Sequence, residues 1–360
     1  MLFFMKENDE NKQLRKGWTT GACATAAARA AFHALMHGGF PDPVEIILPR
    51  GQTPSFVLNR QGQEGDQYWA SVIKDAGDDP DITHGAEIIV HVRQLEMGSG
   101  VVFKNGPGVG LVTKPGLPLD VGEPAINPMP RQMIKENLAL VSSACDVEVT
   151  ISIKNGEELA KKTMNPRLGI VGGLSVLGTT GIVVPYSCSA WIHSIHRGID
   201  VAKAIGLKHI AACTGSTSEK TVNGIYNFEE SALIDMGDFA GGVLKYLRKH
   251  PIEKVTFCGG FAKLCKLAQG EMDLHSSRSR IDFDELAQWM DQVGGSSLSQ
   301  QVKGANTALE VIELAQHHNI ALGDLVARRA KEVALAIVSG HCEIEVIAIN
   351  RKGEVVGRAS

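Results

Sequence analysis

From about residue 166 onward, short apolar runs alternate with longer helical patterns, and this rhythm constrains the fold more than any other feature of the chain. The runs at 168–172, 209–213, 231–235 and 254–258 are separated by helical segments at 188–205, 238–249 and 260–269. Strands that alternate with helices read as βαβ units, a parallel sheet with helices on its faces. Further helices are predicted at 284–292, 306–318 and 323–338. Residues 343–349 and 354–356 then flank Asn350-Arg351-Lys352-Gly353 as a β-hairpin, and the pattern allows it on the sheet of either half.

The first half has a different grammar. Gly17-Trp18-Thr19-Thr20-Gly21 leads into an alanine-rich run, a strong helix former with capping residues before it. Residues 44–48, 69–74, 87–93 and 147–153 read as strands. Residues 105–131 hold six prolines and five glycines with almost no periodicity, and so long an irregular stretch in a compact domain is functional or disordered. The expected architecture is therefore an α+β N-terminal domain (1–165) followed by an α/β, parallel-sheet, Rossmann-like domain (166–360) that ends in a β-hairpin.

Composition excludes several classes of function. The 360 residues are 44% hydrophobic and 21% charged, enough for a sizeable core. A net charge of −4 and 5% aromatic content give no basic field and no stacking platform for nucleic acid. Seven scattered cysteines without a C-x-x-C pair argue against a disulfide framework or structural zinc and for a reducing cytoplasm. The apolar run Met1–Met5, followed by Lys6 and Glu7, does not resemble a signal peptide. Residues 168–192 carry no charge, but glycines and Pro185 interrupt them throughout, so no membrane span is expected.

The candidate chemistry lies in loops. Thr19-Thr20-Gly21, at a helix start, offers amide N–H groups to a carboxylate or phosphate, or else simply caps the helix. The acidic turn with Asp75, Asp78, Asp79 and Asp81 suits cation recognition or proton abstraction, and equally a solvated hairpin. Gly106-Pro107-Gly108-Val109-Gly110 is a bare G-x-G-x-G that opens no helix, which argues against a dinucleotide fingerprint. Glu123, Asn127 and Arg131 sit among prolines that hold them in position, and Arg131 can fork onto a carboxylate. In the second half, Gly172-Gly173, Gly178-Thr179-Thr180-Gly181, Thr214-Gly215 and Gly259-Gly260 each follow an apolar run, where α/β sheets bind nucleotides. Asp235, at a strand end, suits ribose hydroxyls. His193 and His196 share a helix face without a metal-ligand pattern, and Arg278 belongs to a polar, basic patch suited to anions.

Several long words in order resemble one family closely. They are Gly17–Cys23, Lys74–Asp81, Gly108–Leu117, Gly122–Arg131, Asn165–Gly173 with Gly178–Val183, and Gly259–Leu264. This chain resembles the cobalt-precorrin-5B (C-1)-methyltransferase family of anaerobic cobalamin biosynthesis, CbiD; Trp18 stands where the family pattern has Phe. The resemblance implies methyl transfer from S-adenosylmethionine to C-1 of a cobalt-corrinoid precursor, with cobalt arriving only as part of the substrate and no protein-bound metal.

That reaction sets out the expected roles. The substrate's own ring carbon is the nucleophile, so alignment matters more than a reactive side chain. The first domain is assigned to the substrate: Lys114, Arg131, Arg167, Arg278 and the helix-start amides of Thr19, Thr20 and Gly21 suit its carboxylate arms, and Glu123 and Asn127 are further substrate-binding candidates. The second is assigned to the methyl donor, through Gly172, Gly173, Gly178, Thr179, Thr180, Gly181, Thr214, Gly215, Asp235, Gly259 and Gly260. Asp75 and Asp78 are the catalytic candidates, as charge partners of the sulfonium or as proton acceptors. A dinucleotide-dependent oxidoreductase and a non-catalytic tetrapyrrole carrier are the competing readings, and a homo-oligomer is left open.

Overall fold

The structure, a computed structural model, describes residues 14–360. The apolar run at Met1–Met5 lies outside the described residues. The chain divides into two units, Met1–Ser187 and Cys188–Ser360. Both mix helices and sheets, and the five-stranded sheet of each contains parallel strands.

The first unit is organised by its alanine helix, Thr20–His37. Thirteen of its residues are buried, an all-round burial that only small side chains allow when a sheet and a second helix approach together. The Thr19 side chain caps its start and Gly38, in the left-handed region, caps its end. The helix lies on a five-stranded sheet ordered Arg60–Glu64, Gln67–Ile73, Glu87–Gln94, Val147–Ile153 and Val101–Asn105. Only the last pair is parallel. Ala70, Val72, Ile88, Val90, Val149 and Ile151 form one core with Ala24, Ala27, Ala31 and Phe32.

Residues 166–187 belong to this first unit, so the division lies later than the sequence rhythm places it. The run at 168–172 is not part of a parallel sheet. Ile170–Val171 pairs antiparallel with Leu111–Val112, and Gly173–Leu174 pairs parallel with Gly108–Val109. Ile182–Val183 pairs with Gly17–Trp18. The glycine-rich stretch thus satisfies its backbone by lying against the proline-rich loop and the start of the chain.

The second unit has one five-stranded sheet ordered Leu233–Asp235, His209–Cys213, Lys254–Gly260, Glu343–Ile349 and Val355–Ala359. The first four strands are parallel and the last is antiparallel, so the C-terminal hairpin completes this sheet. From His209–Cys213 the chain passes outward to Leu233–Asp235 and then back to the other side, to Lys254–Gly260. The direction of winding therefore reverses between two adjacent strands. Phe257, Val255 and Ile210 face a large helical core, and Ala211, Cys258 and Ile347 a smaller one. Among the described residues no helix is long and apolar enough to cross a membrane.

Candidate functional site

In the first unit the acidic turn is a clamp on the segment Arg15–Trp18. The Arg15 guanidinium pairs with both oxygens of Asp75, and the Arg15 amide donates to Asp78 at 2.7 Å. Trp18 N–H donates to the Asp75 carbonyl at 2.7 Å, and Asp79 accepts from the Tyr186 amide at 2.8 Å. Asp81 pairs with the buried Lys74 and caps Thr83. Burial pushes the Asp81 carboxyl up, but Lys74 and Thr83 more than offset it and hold it below the usual range. The Arg15 hydrogen bond, aided by the Gly77 amide, holds Asp75 down at about 2. Such a carboxylate carries charge at neutral pH but is a poor proton acceptor. Its folded pKa is depressed, so its contribution is present above the unfolded value of about 3.9 and is lost as pH falls toward 2. Arg15→Ala is expected to return Asp75 toward the ordinary value, read by NMR titration of the carboxyl; an unmoved titration would remove Arg15 as the cause.

The helix start expected to receive an anion is already closed. Gly21 N–H donates to the Leu177 carbonyl at 3.0 Å, Ala22 N–H to the Thr19 hydroxyl at 3.2 Å, and the Thr20 hydroxyl bonds Leu177 in both directions. Gly178 and Gly181 fold over this start, and a Cβ at Gly178 would lie 2.3 Å from the Thr19 hydroxyl oxygen. The Arg131 guanidinium also turns inward. It donates to the Ile126 and Pro124 carbonyls and to Glu123, locking the proline loop rather than presenting an open fork. Asn127 heads the Pro128–Ala139 helix without a side-chain capping bond.

One cavity of about 460 Å³ opens in this unit, where Asn105–Val109 meets Glu157 and Gly172. Leu111, Thr113 and Val171 complete its wall, and Lys114 and Arg167 belong to the same two chain segments. The Lys114 stem passes over Gly169, where a Cβ would lie 2.5 Å from it. Beneath the cavity three backbones cross at glycines. A Cβ on Gly173 would lie 2.3 Å from the Gly108 backbone, and one on Gly156 2.2 Å from the Gly108 carbonyl oxygen. The G-x-G-x-G word is therefore a packing junction.

In the second unit a cavity of about 500 Å³ lies at the carboxyl ends of three neighbouring parallel strands. Thr214–Ser218, Gly260–Ala262, Thr307–Leu309 and Ile349–Arg351 line it. Three helices, Ser216–Tyr226, Phe261–Ala268 and Ala308–His317, begin at its wall. Nothing occupies the space where a Cβ on Gly215 or Gly260 would stand. Hydroxyls, one arginine and apolar surface face the space, and no lining residue is acidic. Thr214, Gly215 and Gly260 come together here as expected, with Gly259 packed against Thr214. Asp235 ends the adjacent strand, in register with Cys213, and is not part of the wall. Arg278 lies elsewhere in this unit, paired with Asp273 and bonded to the Cys188 sulfur.

The donor residues expected to form one set are therefore divided. Gly172, Gly173 and Gly178–Gly181 sit in the first unit, and Thr214, Gly215, Asp235, Gly259 and Gly260 in the second. Sequence reading missed Lys263, which donates to the Thr214 carbonyl at 3.3 Å and pairs by distance with Asp238 at 3.0 Å, though without an aligned hydrogen bond. It also missed the turn that brings Arg351 to the wall. The buried cysteines Cys23, Cys258 and Cys342 supply packing rather than chemistry, since burial pushes Cys23 and Cys258 up to about 12 and Cys342 up to about 11.

Two family models match the chain: CbiD over residues 7–185, ending beside the division between the units, and the CbiD C-terminal domain over residues 273–360. A protein of Paramagnetospirillum magneticum, named cobalt-precorrin-5B C(1)-methyltransferase, is 55% identical over 356 residues, covering 97% of this chain and 99% of its own length. A protein of Brucella anthropi with the same name is 55% identical over 359 residues, covering 98% and 97% respectively. A solved structure, described as the cobalamin biosynthesis protein (cbiD) from Archaeoglobus fulgidus, is 29% identical, covers 74% of this chain and 83% of its own, and gives a TM-score of 0.39. With both halves matched and near-complete coverage of these relatives, the chain belongs to the CbiD family.

Proposed function

We propose that this protein is the methyltransferase its relatives are named for, methylating C-1 of cobalt-precorrin-5B in cobalamin biosynthesis, with S-adenosylmethionine as donor. The donor occupies the strand-end cavity of the second unit, which works as a Rossmann-like domain. The observation that carries this placement is the reversal of winding between His209–Cys213 and Lys254–Gly260, with the cavity at the carboxyl ends of those two strands. Open α/β sheets bind ligands at such reversals, because loops that leave in opposite directions open a crevice between them. The cavity volume is in the range of small-molecule sites. Thr214, Gly215, Gly259 and Gly260 let the ligand approach the backbone, Lys263 holds the Thr214 loop, and Asp235 flanks the site.

When bound, the donor supplies an electrophilic methyl on a cationic sulfur. The chain's task is alignment. The cavity wall offers hydroxyls and carbonyls but no carboxylate to neutralise the sulfonium, which leaves the methyl reactive. In the first unit, Lys114, Arg167 and Asn127 are assigned to the substrate's carboxylate arms; Lys114 follows Thr113, which lines the 460 Å³ cavity. Asp75 and Asp78 act there by fixing the segment at Arg15, a positioning role.

Gly260→Val tests the placement. Gly260 has ordinary backbone angles (φ −59°, ψ 140°) and an empty Cβ position, so the variant folds while filling the cavity. Calorimetric titration with S-adenosylhomocysteine is expected to show binding to wild type and about a tenfold to hundredfold loss in the variant, the scale of an overpacked site. Unchanged affinity would move the donor elsewhere. Binding of a nicotinamide dinucleotide in its place would support the oxidoreductase.

A further inference from the structure

Arg351 stands at the wall of the strand-end cavity. It is exposed, and no ion pair or hydrogen bond engages its guanidinium among the described residues. The turn that carries it is built with care. The Asn350 carboxamide oxygen accepts the Lys352 and Glu354 amides at 2.9 and 3.0 Å, and its nitrogen donates to the Glu354 carboxylate at 2.6 Å. Asn350 N–H donates to the Glu354 carbonyl at 3.0 Å, and Gly353 N–H to the Asn350 carbonyl at 3.1 Å. The Thr221 hydroxyl then donates to the Gly353 carbonyl at 2.8 Å, pinning the turn to the helix that follows the Thr214–Gly215 loop. Two strands and a helix thus fix the base of an arginine whose charged end is uncommitted. Structural arginines of this chain look different: Arg358 and Arg131 are both closed onto carboxylates.

We propose that Arg351 is the specificity residue for the donor's amino-acid carboxylate. The proposal rests on the placement of the donor in this cavity. A guanidinium fork matches a carboxylate in two parallel hydrogen bonds, and with no acidic side chain in the wall nothing in the cavity competes for it. The ligand class is then an adenosine thioether or sulfonium that carries a free α-carboxylate. A nucleoside without that group loses this anchor.

Two probes separate the parts of the claim: S-adenosylhomocysteine, which has the carboxylate, and 5′-methylthioadenosine, which lacks the whole amino-acid end. With full-length protein, Arg351→Met is expected to weaken the first by about tenfold or more, the scale of one charge-assisted pair, and to leave the second within about twofold. Arg351→Lys should recover part of the loss. Equal weakening of both probes, or of neither, overturns the role of Arg351, as does a variant that loses only the corrinoid substrate. The Gly260→Val variant keeps the two readings apart. If it abolishes homocysteine-conjugate binding while Arg351→Met does not, only the carboxylate assignment fails. If neither substitution changes binding, the donor is not in this cavity at all.

Discussion

Glu345→Ala is expected to destabilise the second unit by about 3 kcal/mol, the cost of leaving buried hydrogen-bond donors without their acceptor. Glu345 is fully buried within the parallel sheet. It accepts from the Thr256 hydroxyl and the Tyr226 hydroxyl, each at 2.6 Å, and from Arg358 at 2.7 and 2.9 Å. His209 Nε2 lies 2.8 Å from the same Thr256 oxygen. Because Thr256 gives its one proton to Glu345, His209 must be the donor there. A neutral ring does this, consistent with burial pushing the His209 pKa down. Removing the carboxylate strands two hydroxyls and frees a half-exposed arginine. Urea unfolding followed by circular dichroism checks the size, with Glu345→Gln, which keeps the hydroxyl bonds, expected to lose less. Equal loss in both variants would mean that charge, not hydrogen bonding, holds the network.

The same group sets an acid limit. Burial pushes the Glu345 carboxyl up, but Thr256, Tyr226 and Arg358 more than offset it, so its folded pKa lies below the ordinary value. Its contribution is therefore present above an unfolded pKa of about 4.3 and is lost as pH falls through the folded value. Wild-type stability should fall in that window more steeply than that of Glu345→Gln.

Gly108→Ala is expected to cost the first unit more than about 4 kcal/mol. Its Cβ would sit 2.0 Å from the Ile153 carbonyl oxygen and 3.0 Å from the Gly156 amide, at a φ of +80°. No side chain can swing aside, because the obstacles are backbone. Gly172→Ala is the matched control: its φ is +83°, but nothing lies within 4 Å of the added methyl, so only about 1–2 kcal/mol of left-handed backbone strain applies. Thermal unfolding of the two variants side by side decides the matter, and similar losses would remove the junction from the account.

The alternating half of the chain was legible because its signals are local. Expected helices at 188–205, 260–269 and 323–338 correspond to Cys188–Ala204, Phe261–Ala268 and Leu322–Val338, and the strand at 209–213 is found there. Periodicity and flanking glycines carry that information within a few residues. The segment 166–187 was misread because its apolar run matches the same pattern, whereas its partners, Gly108–Val112 and Gly17–Trp18, are distant in sequence. Two-residue strands leave no periodic trace. The acidic turn was legible as a feature but not as a clamp, since nothing in the words around Asp75 points to Arg15. The strand-end cavity was half visible: Thr214, Gly215 and Gly260 follow from the strand-end rule, and Arg351 arrives only through the pairing of the last hairpin.

Pairing of Gly17–Trp18 with Ile182–Val183 has a consequence for biosynthesis. The opening strand leaves the ribosome long before its partner, on the order of ten seconds earlier at about 5–20 residues per second. Until residues 177–183 emerge, the start of the nascent alanine helix lacks its bonds to Leu177 and Gly181, so the first unit is not complete until about half of the 360 residues have been made, and a chain released before that point should be left to chaperones and proteases.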